Sequence, residues 1–332
     1  MQGIVRIVNN AALPLRQEMP HMRTRMHLEV LDLDGSLPAD DLLAGVGWLS
    51  TQRIDLRDLA PKLRLWSSPR TIAQLRQRLR RLPDRPDAVM TLVGSGDFHH
   101  LTPLLLDRAR EAVTLVHFDN HPDWVRLAPR WHCGSWVNQA LRHDRVARVV
   151  TIGPCSADLE WPGLKGGNLP ALASGRLRLF PWQHAPSRVL RPLADGASWH
   201  HADGHLHWRN LAELTAAERV RLILDQIATP AVWFSIDKDV LPEDEAISNW
   251  DQGKMPLQAV VDLIGAIVAR HEVAGADICG EYSAPNFSNV WKRLEASRDQ
   301  PRRPAPDRQS LARNATVNRR LLAAISAEGR SC

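Results

Sequence analysis

Short apolar runs recur along the chain, each closed by a polar or glycine-bearing stretch, and most are followed by a segment with helical spacing. Residues 26–33, 87–94, 113–118, 146–152, 177–180, 231–236 and 276–279 read as strands. Between them, residues 68–82, 101–112, 134–143, 214–227, 256–271 and 290–296 predict helices. Pro69 and Pro256 stand near two of the helix starts, where the missing N–H has no partner to lose. Buried strands alternating with amphipathic helices predict an α/β fold, with a parallel sheet covered on both faces. In such sheets ligands gather beyond the carboxyl ends of the strands.

Segment 297–310 carries Pro301, Pro304 and Pro306 among Arg and Asp and reads as a linker. The division expected is one α/β domain over 1–296, the linker, and a C-terminal helix or tail over 311–332, packed on this chain or on a neighbouring subunit. The sequence Asp32-Leu33-Asp34-Gly35 resembles the nucleophile motif of a phosphatase, but turn chemistry at a strand end explains it more simply.

The 332 residues are enough for a substantial core. A net charge of +5 and a pI near 9.4 come largely from scattered arginines such as Arg76, Arg78, Arg80 and Arg81, which read as a solvated helix face. No nucleic-acid-binding motif accompanies them, so nucleic acid is not an expected partner. Cys133, Cys155, Cys279 and Cys332 lack paired metal-binding spacing and are expected to be reduced. No stretch approaches the roughly 20 apolar residues that span a bilayer, so a soluble, cytoplasmic protein is expected.

The chemistry lies where three predicted strands end. Val116-His117-Phe118 runs into Asp119, His121 and Asp123, three metal-ligand types at a spacing of two, which an extended backbone turns to one face. A second run ends in Asp237 and Asp239, and a third in Gly94-Ser95-Gly96-Asp97-Phe98-His99-His100. So many carboxylates are costly to bury together without cations. Mixed oxygen and imidazole donors suit Mn, Fe, Co, Ni or Zn, and two such ions would hold a bridging hydroxide at neutral pH.

These three elements resemble the Gly-Gly-Asp-His, Asp-x-His-x-Asp and Ser-x-Asp-x-Asp signatures of the ureohydrolases, the arginase, agmatinase and formiminoglutamase superfamily, over residues 90–285. The chain is similar to a divergent member. The resemblance implies a three-layer αβα fold with a central, mainly parallel sheet of about eight strands, two divalent ions, Mn2+ by preference, and a homo-oligomer. It implies that a hydroxide bridging the ions cleaves a C–N bond of a small guanidino, amidino or formimino substrate. Asp119 and Asp237 would bridge the ions, Asp123 and the upstream histidine would complete one, and His121 and Asp239 the other. Asp123 would also steer the hydroxide. His132 would pass a proton to the leaving amine, and Glu281 would pair with the guanidinium.

This chain departs from the family at several points. Phe98 follows Asp97, so the first histidine arrives one place late, as His99 or His100; His99 is assigned the role. Pro242 and Glu243 stand where the family has Asp-Pro. Arg126 and Arg130 occupy the loop with which arginases hold an amino acid, which argues against arginine and admits an acidic substrate tail. Trp124, Trp131 and Trp136 suit the core or the wall of a slot, and His200, His201, His205 and His207 suit a surface or an ion. Two other readings compete: a histone-deacetylase-like amide hydrolase with one zinc, and a non-catalytic or regulatory metal-binding member of the fold. Asp123 together with the Asp237 and Asp239 pair favours two ions.

Overall fold

The computed structural model describes residues 26–37, 47–126, 129, 131–303 and 305–326. Most of the apolar stretch at 42–49, together with Arg130 and Cys332, lies outside them.

Eight strands form one sheet: β1 (Met26–Asp32), β2 (Ser50–Asp55), β3 (Ala88–Gly94), β4 (Val113–Phe118), β5 (Val146–Ile152), β6 (Leu177–Phe180), β10 (Ala231–Asp237) and β11 (Glu272–Cys279). Their order is β2-β1-β3-β11-β10-β4-β5-β6, and every pairing is parallel. The strands read as unbroken apolar runs because both faces are buried. Along β4, Val116 and Phe118 enter one core while Val113 and Leu115 enter the other; along β10, Val232, Phe234 and Ile236 oppose Ala231 and Trp233. Helices cover each face. Helix Leu257–Val268 and helix Arg308–Ile325 pack on one, and helix Pro69–Leu79, capped by Ser68, on the other. The result is a three-layer αβα sandwich.

Among the departures from the pattern-based expectation, three shape the fold most. Strand β2 has the polar sequence Ser-Thr-Gln-Arg and only partial burial; as an edge strand it is held by its pairing with β1 rather than by an apolar face. The helix expected over 101–112 is divided into a 3-10 turn Gly96–Leu101, a short helix Thr102–Leu105 with Pro103 in its first turn, and a second 3-10 turn Leu106–Arg108. A small antiparallel sheet, β7 (Ser187–Arg188), β8 (Trp199–Ala202) and β9 (His205–Trp208), projects between β6 and β10 in the chain. Its turn at Asp203-Gly204 has both φ angles positive.

The C-terminal helix packs on this chain: Val317, Leu321, Leu322 and Ile325 are buried in the core beside helix Leu257–Val268. The preceding stretch is tied down as well, with Gln300 donating to Asp97 and Arg303 paired with Glu243. At the end of β1, Asp32 accepts a bond from the Gly35 N–H, and Gly35 has φ +70, so Asp32-Leu33-Asp34-Gly35 is a turn. No described helix is long and apolar enough to cross a membrane.

Candidate metal centre

The sheet order places the carboxyl ends of β3, β11, β10 and β4 side by side, and the polar clusters sit there. After β3, Gly94 turns with φ +90 into the 3-10 turn that carries His99 and His100. After β4 come Asp119, His121 and Asp123. Strand β10 ends on Asp237, and the next 3-10 turn carries Asp239. Convergence of Asp119, His121 and Asp123 does not come from an extended strand, since β4 stops at Phe118 and Asp123 has φ +46. That left-handed conformation is uncommon without glycine. The Trp136 indole N–H secures it by donating to Asp123 Oδ2 at 2.6 Å.

His99 and His100 diverge because adjacent residues on a 3-10 turn point to different sides. His100 turns away and bonds to Ser67 Oγ at 2.9 Å. His99 Nδ1 lies 3.1 Å from Asp119 Oδ2, 3.5 Å from Asp123 Oδ2 and 3.6 Å from Asp237 Oδ2. Its Nε2 meets Ser235 Oγ at 2.9 Å, while the Ser235 hydroxyl donates to Asp277. The single Ser235 proton is thus committed to Asp277, so Nε2 is the donating nitrogen and the Nδ1 lone pair faces three carboxylates. That nitrogen is buried and has no hydrogen-bond partner.

His121 completes the other side. Its Nδ1 lies 3.0 Å from Asp239 Oδ2 and 3.4 Å from Asp119 Oδ1, and its Nε2 lies 2.9 Å from Asp251 Oδ1. Asp119 therefore faces both histidines, one with each oxygen.

The electrostatics call for positive charge. Burial raises the pKa of Asp123, Asp237 and Asp239, and repulsion from Asp119 adds to it. Burial acts in the same direction on Asp119, but the imidazoles of His117, His121 and His99 gathered around it outweigh it and hold that carboxyl well below its ordinary range. Burial disfavours charge on His99 and His121, yet the carboxylates around them overcome this and raise both. The centre is thus a set of mutually repelling anions around nitrogens that attract a cation. Among the described residues, side-chain donor atoms fall into three groups, each within 4.8 Å: His99, His117, Asp119 and Asp123; Asp119, His121 and Asp239; His99, Asp237 and Cys279. An unpartnered buried imidazole nitrogen amid three aspartates fits divalent metal ions.

Two further expected residues lie in different surroundings. His132 lines the same cavity; its Nδ1 accepts the Gly134 N–H at 2.9 Å, and its Nε2 meets Glu295 Oε1 at 2.6 Å. Glu281 does not line that cavity. Its carboxylate is buried against helix Arg308–Ile325, ion-paired with Lys238 and accepting bonds from Asn314 and Asn318 at 2.8 and 2.7 Å. Gly280, with φ +87, turns the chain away from Asp237 before Glu281 is reached. In this arrangement Glu281 ties the C-terminal helix to the end of β10 and faces away from the cavity where a substrate guanidinium was expected to meet it.

Sequence reasoning missed four residues of the centre. His117, bonded to Asp119 Oδ2 at 2.9 Å, and Cys279, whose thiol donates to Asp237 Oδ2 at 3.2 Å, stand at the carboxyl ends of apolar strands. Asp251 and Glu295 reach their histidines from residues more than a hundred positions away. Of the tryptophans, Trp124, Trp131 and Trp136 are buried in the core, Trp136 with its ring 4.6 Å from that of His99. Trp250 lines the cavity, packed against His121. The histidines of β8 and β9 do not line it.

The cavity over the centre encloses about 310 Å³. Besides the four clustered aspartates, its described wall carries Asp158, Asp251 and Asp299, and no Lys or Arg. The Arg126 side chain is exposed to solvent. The acidic substrate tail suggested by Arg126 and Arg130 finds no partner among the described lining residues.

No family model matches the chain. An uncharacterized protein of Thermotoga maritima is 27% identical over 209 residues, 63% of this chain and 63% of that relative. Among solved structures, arginase from Bacillus subtilis superposes with a TM-score of 0.58 at 12% identity, covering 92% of this chain and 99% of that one. Proclavaminate amidino hydrolase from Streptomyces clavuligerus gives 0.55 at 14% identity, covering 93% and 94%. Formimidoylglutamase from Bacillus subtilis gives 0.54 at 12% identity, covering 97% and 96%. The chain has the arginase fold.

Proposed function

We propose that the chain is a binuclear-metal hydrolase that cleaves a C–N bond of a guanidino, amidino or formimino compound. The observation that carries this reading is the meeting of His99, Asp119, His121, Asp123, Asp237 and Asp239 at the ends of three central strands, in the fold that arginase, the amidino hydrolase and formimidoylglutamase share. His99, Asp123 and the shared Asp119 and Asp237 would hold one ion, and His121 with Asp239 the second. Mn2+ is the ion that the family resemblance implies. Bound there, two divalent ions supply water activation at neutral pH.

The chain's own residues do the rest. Asp123, fixed by Trp136, accepts a proton from the attacking water. His132 lines the cavity with its Nε2 2.6 Å from Glu295 Oε1, a contact that would orient the imidazole to pass a proton to a departing amine. Asp158, Asp251 and Asp299 add negative charge that favours a cationic substrate and disfavours an anionic one.

The test is release of urea or ammonia from a panel of guanidino, amidino and formimino compounds by protein loaded with Mn2+ or Zn2+. Asp119→Ala should lose metal and turnover together. Turnover by a variant series with unchanged metal content throughout, or silence of the metal-loaded protein across the panel, would contradict the reading.

A further inference from the structure

Cys279 is the last residue of β11 and pairs in register with Asp237, the last residue of β10. Register partners in neighbouring strands point to the same side of the sheet. The Cys279 thiol accordingly reaches the carboxylate oxygen of Asp237 that faces His99: Sγ to Oδ2 is 3.2 Å, and Oδ2 to His99 Nδ1 is 3.6 Å. A sulfur, an oxygen and a nitrogen thus lie within 4.8 Å of one another, all buried. The unpartnered Nδ1 of His99 is independent evidence that the space between them takes a ligand. Gly280 bends the backbone away immediately afterwards, leaving Cys279 as the final side chain of its strand at the centre.

Resting on the two-ion reading above, we propose that Cys279 is itself a ligand of the ion held by His99 and Asp237, and that it shifts this position from Mn2+ towards thiolate-binding ions such as Zn2+, Fe2+ or Co2+. Hard Mn2+ gains little from sulfur, whereas the softer ions bind thiolate strongly. Ligation breaks the S–H bond, forms the metal–sulfur bond and releases the proton to water.

Cobalt and zinc report the ligand directly. Protein loaded with Co2+ should show a near-ultraviolet sulfur-to-cobalt charge-transfer band that persists in Cys133→Ser, at the cysteine that lines the cavity, and disappears in Cys279→Ser and Cys279→Ala. X-ray absorption of the Zn2+-loaded native protein, which needs no variant to fold, should contain a sulfur shell at about 2.3 Å. In Cys279→Ser the preference for Zn2+ over Mn2+ should fall on the order of tenfold. Bound cobalt without the band, a band that survives Cys279→Ser, or a zinc spectrum with only oxygen and nitrogen neighbours would overturn the proposal while leaving the hydrolase reading intact. Failure to take up any metal would overturn both. The band together with silence on every C–N substrate would support the ligand and sink the hydrolase reading alone.

Discussion

Asp251 Oδ1 lies 2.9 Å from His121 Nε2, on the opposite edge of the ring from Asp239. Asp251 is also anchored by Asn120, whose side-chain amide donates to both its backbone and its carboxylate. A carboxylate on the outer nitrogen fixes the tautomer and orientation of a metal-binding imidazole and makes its inner nitrogen a better donor.

Asp251→Asn should therefore weaken binding of the ion that His121 would hold by about 10- to 100-fold without unfolding the chain. Calorimetric metal titration of native and variant protein checks this. Equal affinities would show that the contact only closes the cavity mouth.

The His132–Glu295 pair gives a pH prediction. Burial pushes the Glu295 carboxyl up, but bonds from His132 and Trp66 outweigh it, so the group sits below its ordinary 4.5. A depressed carboxyl contributes stability that is present above its unfolded pKa and is lost as pH falls through its folded value. Thermal-melting curves of native protein and Glu295→Gln should lie apart above about pH 4.5 and converge in acid. His132→Ala should raise the Glu295 titration midpoint, read by carboxyl NMR, and keep the metal while losing turnover. Curves that stay parallel down to low pH would remove Glu295 from this role.

Glu281 offers the opposite signature from a substrate-binding carboxylate. Its variant Glu281→Ala leaves the buried Lys238 ammonium without its counter-charge and should cost about 3–5 kcal/mol of stability. Denaturant unfolding and KM measured together separate the roles. Unchanged stability with a raised KM would restore the guanidinium-pairing role.

Most of the sheet was legible because its strands are buried on both faces: β4, β5 and β6 read as apolar runs with the bounds they have in the fold. Polar β2 and the histidine-bearing hairpin carry no such run. In the centre, Asp119, His121, Asp123, Asp237 and Asp239 were conspicuous as charges closing apolar segments. His117 was hidden by the same logic, since a histidine within an apolar run reads as core. The choice between His99 and His100 depends on a 3-10 turn that periodicity does not reveal. Asp251, Glu295 and Cys279 act through tertiary proximity to residues far away in the chain, and local sequence carries no trace of that. The direction of Glu281 was not legible either, because one left-handed glycine, Gly280, changes where the next side chain goes.

The most direct measurement is the number of divalent ions retained per chain after saturation with Mn2+ or Zn2+ and removal of the excess. Two ions per native chain, with loss of metal in Asp119→Ala, is the predicted result. A single ion, or none, would contradict the binuclear centre.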